Sequence, residues 1–147
     1  GLRAERTLAD VLAGRCELDA IVLDGPGGTM LVPAASGVAR VASLSAPEHA
    51  GIIQAFSGLR RDIDVLLIDT AAGLSPSVLM FGQAAHEVLV VVCDEPASLT
   101  DAYGLIKVLS RDHGVARFRM LANRCHSLTA ARDLHHRLLR VCDPLKN

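Results

Sequence analysis

This sequence predicts an α/β fold, a mostly parallel sheet flanked by helices, and three observations carry that expectation. Val65-Leu66-Leu67-Ile68 and Val88 to Cys93 are apolar runs without alternation, the pattern of strands buried on both faces. Phe118 to Ala122 reads as a third central strand. Between these runs lie segments with helical apolar spacing, so strand and helix alternate as in right-handed βαβ crossovers. The 147 residues, half of them apolar, read as a single domain with a sizeable core. With 3% aromatics and no Trp, that core is aliphatic.

In chain order, Thr7 opens a short helix from Leu8 to about Ala13, which Gly14 ends. Ile21 to Leu23 and Met30 to Val32 flank Gly25-Pro26-Gly27-Gly28, a turn by composition, and pair as a hairpin. Ser45 and Glu48 have capping-box spacing, with Pro47 early in the first turn. The helix they start carries Ile52, Ile53 and Phe56 on one face. Asp64 leads into the strand that ends at Asp69, and Ser75-Pro76 starts a helix burying Val78, Leu79 and Phe81. After Cys93 comes the polar loop Asp94-Glu95-Pro96-Ala97. Ser98 and Asp101, again at capping-box spacing, begin a helix reaching about Arg111. The third strand ends at Asn123-Arg124, and Ser127 caps a last helix bearing Leu134, Leu138 and Leu139.

The bulk properties exclude several classes. A net charge of −1 gives no whole-chain attraction to nucleic acid or anionic membrane. No apolar run has the length of a membrane span, and no secretory signal is visible. Cys16, Cys93, Cys125 and Cys142 are scattered without C-x-x-C spacing, as expected for reduced cytoplasmic thiols. The chain begins at Gly1 rather than Met, so it is expected to be a piece of something longer.

Parallel sheets bind ligands beyond the carboxyl ends of their strands. Three loops, at 69–73, 94–97 and 123–126, are therefore expected to converge on one edge. An acid leaving a buried strand, as Asp69 does, is placed to hold hydrated Mg²⁺, and Gly73 lets a backbone N–H approach a phosphate. That is the chemistry of a nucleotide-dependent switch. The partner loop G-x-x-x-x-G-K-[ST] is missing: neither Lys107 nor Lys146 follows a glycine loop.

Plainer readings stand beside these. Asp69 could be a capping or loop acid, and Asn123 a turn residue. Asp94 and Glu95 either flank a metal or line a solvated loop, the commoner fate of such pairs. Cys125-His126 and His135-His136 fit no zinc-ligand spacing. Gly73 to Ser77 lacks the second glycine of a nucleophile elbow, so Ser75 reads as a cap. Asp112 interrupts the basic cluster Arg111, Arg117 and Arg119, and no direct nucleic-acid binding is expected. A phospho-accepting receiver domain would want a lysine after its last strand, where this chain has Asn123-Arg124.

Several segments resemble the MinD/ParA family of deviant P-loop ATPases, in particular its flagellar-number regulators of the FleN/FlhG type. They are Thr7-Leu-Ala-Asp-Val-Leu, Gly25-Pro-Gly-Gly, Val32-Pro-Ala-Ala-Ser-Gly37 and Asp64-Val-Leu-Leu-Ile-Asp-Thr-Ala-Ala-Gly73. The run from Gln83 through Cys-Asp-Glu-Pro to Lys107, and then Asn123, extends the likeness over nearly all of 7–141. The resemblance implies a P-loop NTPase fold of MinD/SIMIBI type, incomplete at its N-terminus and its C-terminus. It also implies that Asp69 binds Mg²⁺ through water, Gly73 senses the γ-phosphate, Asn123 reads adenine and Arg124 flanks the base. Members of the family form ATP-dependent homodimers that hydrolysis dissolves. Their flagellar partners are a signal-recognition-type GTPase and a transcription activator. They are cytoplasmic, with peripheral membrane contact through a C-terminal amphipathic helix. That helix, the phosphate loop and its lysine are absent here, and the tail 143–147 lacks the expected last strand. The chain alone is accordingly expected to bind ATP poorly and to be inactive, ATP hydrolysis belonging to the intact parent. The rival expectation is a nucleotide-independent regulatory module that binds a partner.

Overall fold

The computed structural model describes residues 4–34 and 44–142. Residues 35–37 of the family-like segment and the tail 143–147 lie outside the described residues. The chain forms two compact units, Gly1–Ile68 and Asp69–Asn147.

The first unit begins with helix α1 (Leu8–Leu12), started by a capping box between Thr7 and Asp10. The Thr7 N–H donates to Asp10 Oδ2 at 2.8 Å, and Arg15 Nε donates to Asp10 Oδ1 at 2.9 Å. These two bonds, the Thr7 amide first, hold the Asp10 carboxyl below the usual carboxylate range. A 3₁₀ turn (Leu18–Ile21) precedes the antiparallel hairpin of β1 (Leu23–Asp24) and β2 (Met30–Leu31). The predicted hairpin is thus present but shorter, because Ile21 is buried in the 3₁₀ turn instead of paired. Gly27 and Gly28 take φ of +67° and +79°, and the Gly25 N–H closes the turn on Thr29 O at 2.7 Å.

Helix α2 (Ala46–Ser57) starts at the predicted Ser45–Glu48 capping box. Of the three residues expected on one face only Ile52 is fully buried; Ile53 is exposed and Phe56 half-buried. Ile53 lies about 100° around the helix from Ile52, and in this structure that turn carries it out of the covered stripe.

Val65–Ile68 is the main correction to the sequence reading. No ladder forms there, and the four side chains are 72%, 45%, 87% and 43% exposed. A strand needs a neighbour's backbone for its N–H and C=O groups, and none of the described residues supplies one.

The second unit holds the predicted crossover. Helix α3 (Pro76–Ala84) is capped by Ser75, whose Oγ accepts the Val78 N–H at 3.4 Å. Val78 and Phe81 are buried and Leu79 half-buried. Strand β3 (Val88–Cys93) leads through helix α4 (Pro96–His113) to β4 (Phe118–Asn123). The strands are parallel, in register from Val88↔Phe118 to Cys93↔Asn123. Gly114 ends α4 at φ +70°, with the Val115 N–H on Leu109 O at 3.0 Å. Helix α5 (Leu128–Cys142) is capped by Ser127, whose Oγ accepts the Ala130 N–H at 3.1 Å.

The core of this unit is Val90, Val92, Ala102, Leu134 and Leu138, with Ile106 and Met120 packed on it. Helices α4 and α5 pack on that face of the strand pair. Leu89, Val91 and Leu121 on the opposite face are about half exposed. The continuous apolar pattern of β3 therefore predicts the strand correctly, but not burial on both faces. On α5 Leu134 and Leu138 are buried, while Leu139 is exposed. At the amino ends of the strands Arg119 grips Glu87 with two bonds, of 2.7 and 2.6 Å. That fork lowers the Glu87 carboxyl and raises the Arg119 guanidinium from their ordinary values.

Candidate functional site

Because β3 and β4 are parallel and in register, their carboxyl ends stop together at Cys93 and Asn123. The loops that follow are neighbours for that reason, as the sequence predicts for two of its three loops. Asp94 and Glu95 leave β3, and Glu95 is the N-cap residue of α4 with extended backbone. The sequence reading assigned the cap spacing to Ser98. In the structure Ser98 lies inside α4 and its Oγ accepts the Cys93 N–H at 3.0 Å, tying the helix to the strand end.

After β4, Asn123 Oδ1 accepts the Arg124 N–H at 3.0 Å, and Cys125 Sγ contacts Asn123 O at 3.6 Å. Arg124 holds φ at +57°, the left-handed region in which residues other than glycine are uncommon. Its guanidinium lies 4.0 Å from the Glu95 carboxylate. Asp94 is paired with Arg137, which reaches it from α5. The acid pair after β3 thus lies on an exposed loop, as the sequence reading favours, with an arginine beside each carboxylate. Among the described residues no three His, Cys, Asp or Glu side chains gather as metal ligands.

The other two predicted residues lie on the segment that opens the second unit. Asp69 is exposed and makes no hydrogen bond or ion pair among the described residues, so its oxygens are open to a hydrated cation. The strand expected to carry it has not formed. Gly73 takes φ of +97°, and a Cβ built there meets nothing within 4 Å. Next to it Leu74 reaches α4 at Gly104. Asn123 and Arg124 are thus brought together with Glu95, whereas among the described residues no hydrogen bond or ion pair ties Asp69 or Gly73 to them. Arg137 escaped the sequence reading altogether: it is 43 residues from Asp94, and nothing local marks it as that acid's partner.

Among the described residues no helix is long and apolar enough to cross a membrane. No protein-family profile matches the chain. Individual proteins do. The antiactivator FleN of Pseudomonas aeruginosa is 57% identical over 143 residues, which is 97% of this chain and 51% of that protein. The flagellum site-determining protein YlxH of Helicobacter pylori is 26% identical over 96% of the chain and 47% of its own length. An uncharacterized ATP-binding protein of Methanocaldococcus jannaschii is 29% identical over 71% of the chain and 39% of its own length. The chain spans about half the length of the first two of these relatives. Over the residues it has, the chain belongs to the FleN/FlhG-type family of MinD/ParA-like proteins.

Proposed function

We propose that this chain is the switch and base-reading portion of an ATP-dependent molecular switch that regulates flagellar number or placement. The observation that carries the reading is 57% identity to an antiactivator along almost the whole chain. It is supported by the flagellar site-determining relative and by the ATP-binding one. Asp69 holds Mg²⁺ through water, with its exposed carboxylate as the donor. Gly73 offers its backbone N–H to the γ-phosphate, Asn123 reads adenine and Arg124 flanks it. At the relatives' full length the protein forms a homodimer with ATP and hydrolyses it. A flagellar transcription activator and a signal-recognition-type GTPase are its partners. It works in the cytoplasm, touching the membrane peripherally.

The half-exposed Leu89, Val91 and Leu121 favour a second reading, a partner-binding module that needs no nucleotide. ATPase assays on a protein of the relatives' full length separate the two. Asp69→Ala should lower turnover by about 100-fold or more, the scale of losing an electrostatic stabiliser, with the thermal melt retained. Unchanged turnover would remove Asp69 from the mechanism. Partner capture that is equal with and without ATP would favour the module. The chain itself should bind Mg-ATP weakly, and micromolar binding by calorimetry would contradict that.

A further inference from the structure

The acid pair Asp94-Glu95 has no part in the function above, yet the structure gives each acid an arginine from the Asn123 side of the rim. We propose that Asp94 and Arg137 are positioning residues: they clamp the loop 123–127 so that the Asn123 amide is held in the orientation that selects adenine over guanine. The proposal rests on the reading of Asn123 as the base reader.

The geometry runs as a chain of constraints. Asn123 is fixed at the start of the loop by its ladder pairing with Cys93. At the far end Ser127 caps α5, and Arg137 on that helix is tied to Asp94, the residue directly after Cys93. Arg137 stands ten residues beyond Ser127, so its tie to Asp94 fixes helix α5 as a rigid rod, and through that rod the far end of the loop, against the end of β3. Within that loop Arg124 keeps its left-handed backbone, a conformation that persists only where its surroundings hold it. Glu95 faces the Arg124 guanidinium at 4.0 Å, and Asn123 Oδ1 receives the Arg124 N–H.

That last bond bears on selectivity. A side-chain amide can turn over, exchanging its accepting oxygen and donating nitrogen; along the N7 edge adenine offers it one donor and one acceptor, where guanine offers two acceptors. The Arg124 N–H takes one lone pair of Oδ1 and so fixes which end is which. The second lone pair and the Nδ2 hydrogens are left for a base that offers one donor and one acceptor. If the loop relaxes, the Arg124 N–H leaves Oδ1, the amide turns freely and the preference fades. Exposed ion pairs add little to stability, so the effect of the clamp should be read in selectivity rather than in the melt.

The test measures AMP and GMP binding to the full chain by ligand-observed NMR, with thermal melts alongside. The parent chain should prefer AMP, and Asn123→Ala should abolish the preference. Asp94→Asn and Arg137→Met should each cut it by about two- to fivefold, the size of one lost exposed ion pair. The double variant should be no worse than either single, Arg137→Lys should keep most of the preference, and the melts should stay close. The clamp is overturned, with base reading intact, if Asn123→Ala abolishes the preference while both clamp variants keep it. It is also overturned if the two single effects add in the double variant. Should the unaltered chain show no AMP preference, base reading by Asn123 fails and the clamp falls with it.

Discussion

At the residue scale the clearest electrostatic statement concerns Asp10. Its carboxyl is held down chiefly by the Thr7 amide hydrogen bond and then by Arg15. A group whose folded pKa lies below its unfolded value contributes stability above the unfolded pKa, and loses it as pH falls through the folded one. Acidification should therefore loosen the start of α1 over the acid range below the ordinary Asp titration. Asp10→Asn should remove that dependence while leaving neutral-pH structure in place, as circular dichroism across an acid titration would reveal. A melt of the variant as acid-sensitive as the original would assign the sensitivity elsewhere. The capping boxes at Thr7–Asp10 and Ser45–Glu48 were legible in the sequence because the whole interaction spans three residues. Asn123 and Arg124 were legible as the end of a strand and the start of the loop after it, and the structure places Asn123 as the last residue of β4. Arg137 was not, since its partner lies 43 residues away and only the folded crossover brings them together.

At the element scale, helix existence followed from local spacing, whereas strand burial did not. β3 formed at its predicted bounds because its apolar run found β4 to pair with. Val65–Ile68 has the same kind of apolar run and found none, so a strand signal in sequence is necessary and not sufficient. The contact between α3 and α4 shows another feature that spacing alone conceals. A Cβ added at Gly82 would stand 3.0 and 3.2 Å from the two methyl carbons of Leu109, which is itself 1% exposed. Gly82→Ala gains up to about 1 kcal/mol of helix propensity. It also overpacks a filled interface, which costs about 1–3 kcal/mol. A net loss of roughly 0–3 kcal/mol is expected in urea unfolding from the difference of these two. Pairing Gly82→Ala with Leu109→Val should recover part of it, because the smaller side chain makes room. A clear gain in stability from Gly82→Ala alone would mean that Leu109 can move aside.

Across the whole molecule, the described residues leave much apolar surface uncovered for a chain of this hydrophobicity. The exposed face of the β3–β4 pair and the run Val65–Ile68 are two such surfaces. The run has the signature of a pairing-prone segment: β-favouring side chains, no proline, and backbone groups without a ladder. Its restraints are the acids that bracket it, Asp62, Asp64 and Asp69, since like charges brought together across paired strands oppose pairing. With a net charge of only −1 the chain has little wider repulsion to add. Self-association should therefore grow with concentration and with added salt, which screens those carboxylates over about 8–10 Å at physiological ionic strength. Leu67 is the residue to change, because at 87% exposure it contributes no packing that a substitution could remove. Leu67→Lys should leave folding stability within about 0.5 kcal/mol, as surface changes usually do, while lowering light scattering in salt. If scattering is instead unchanged by Leu67→Lys and falls with Val91→Lys, then the uncovered sheet face, and not the unpaired run, is the surface through which copies meet.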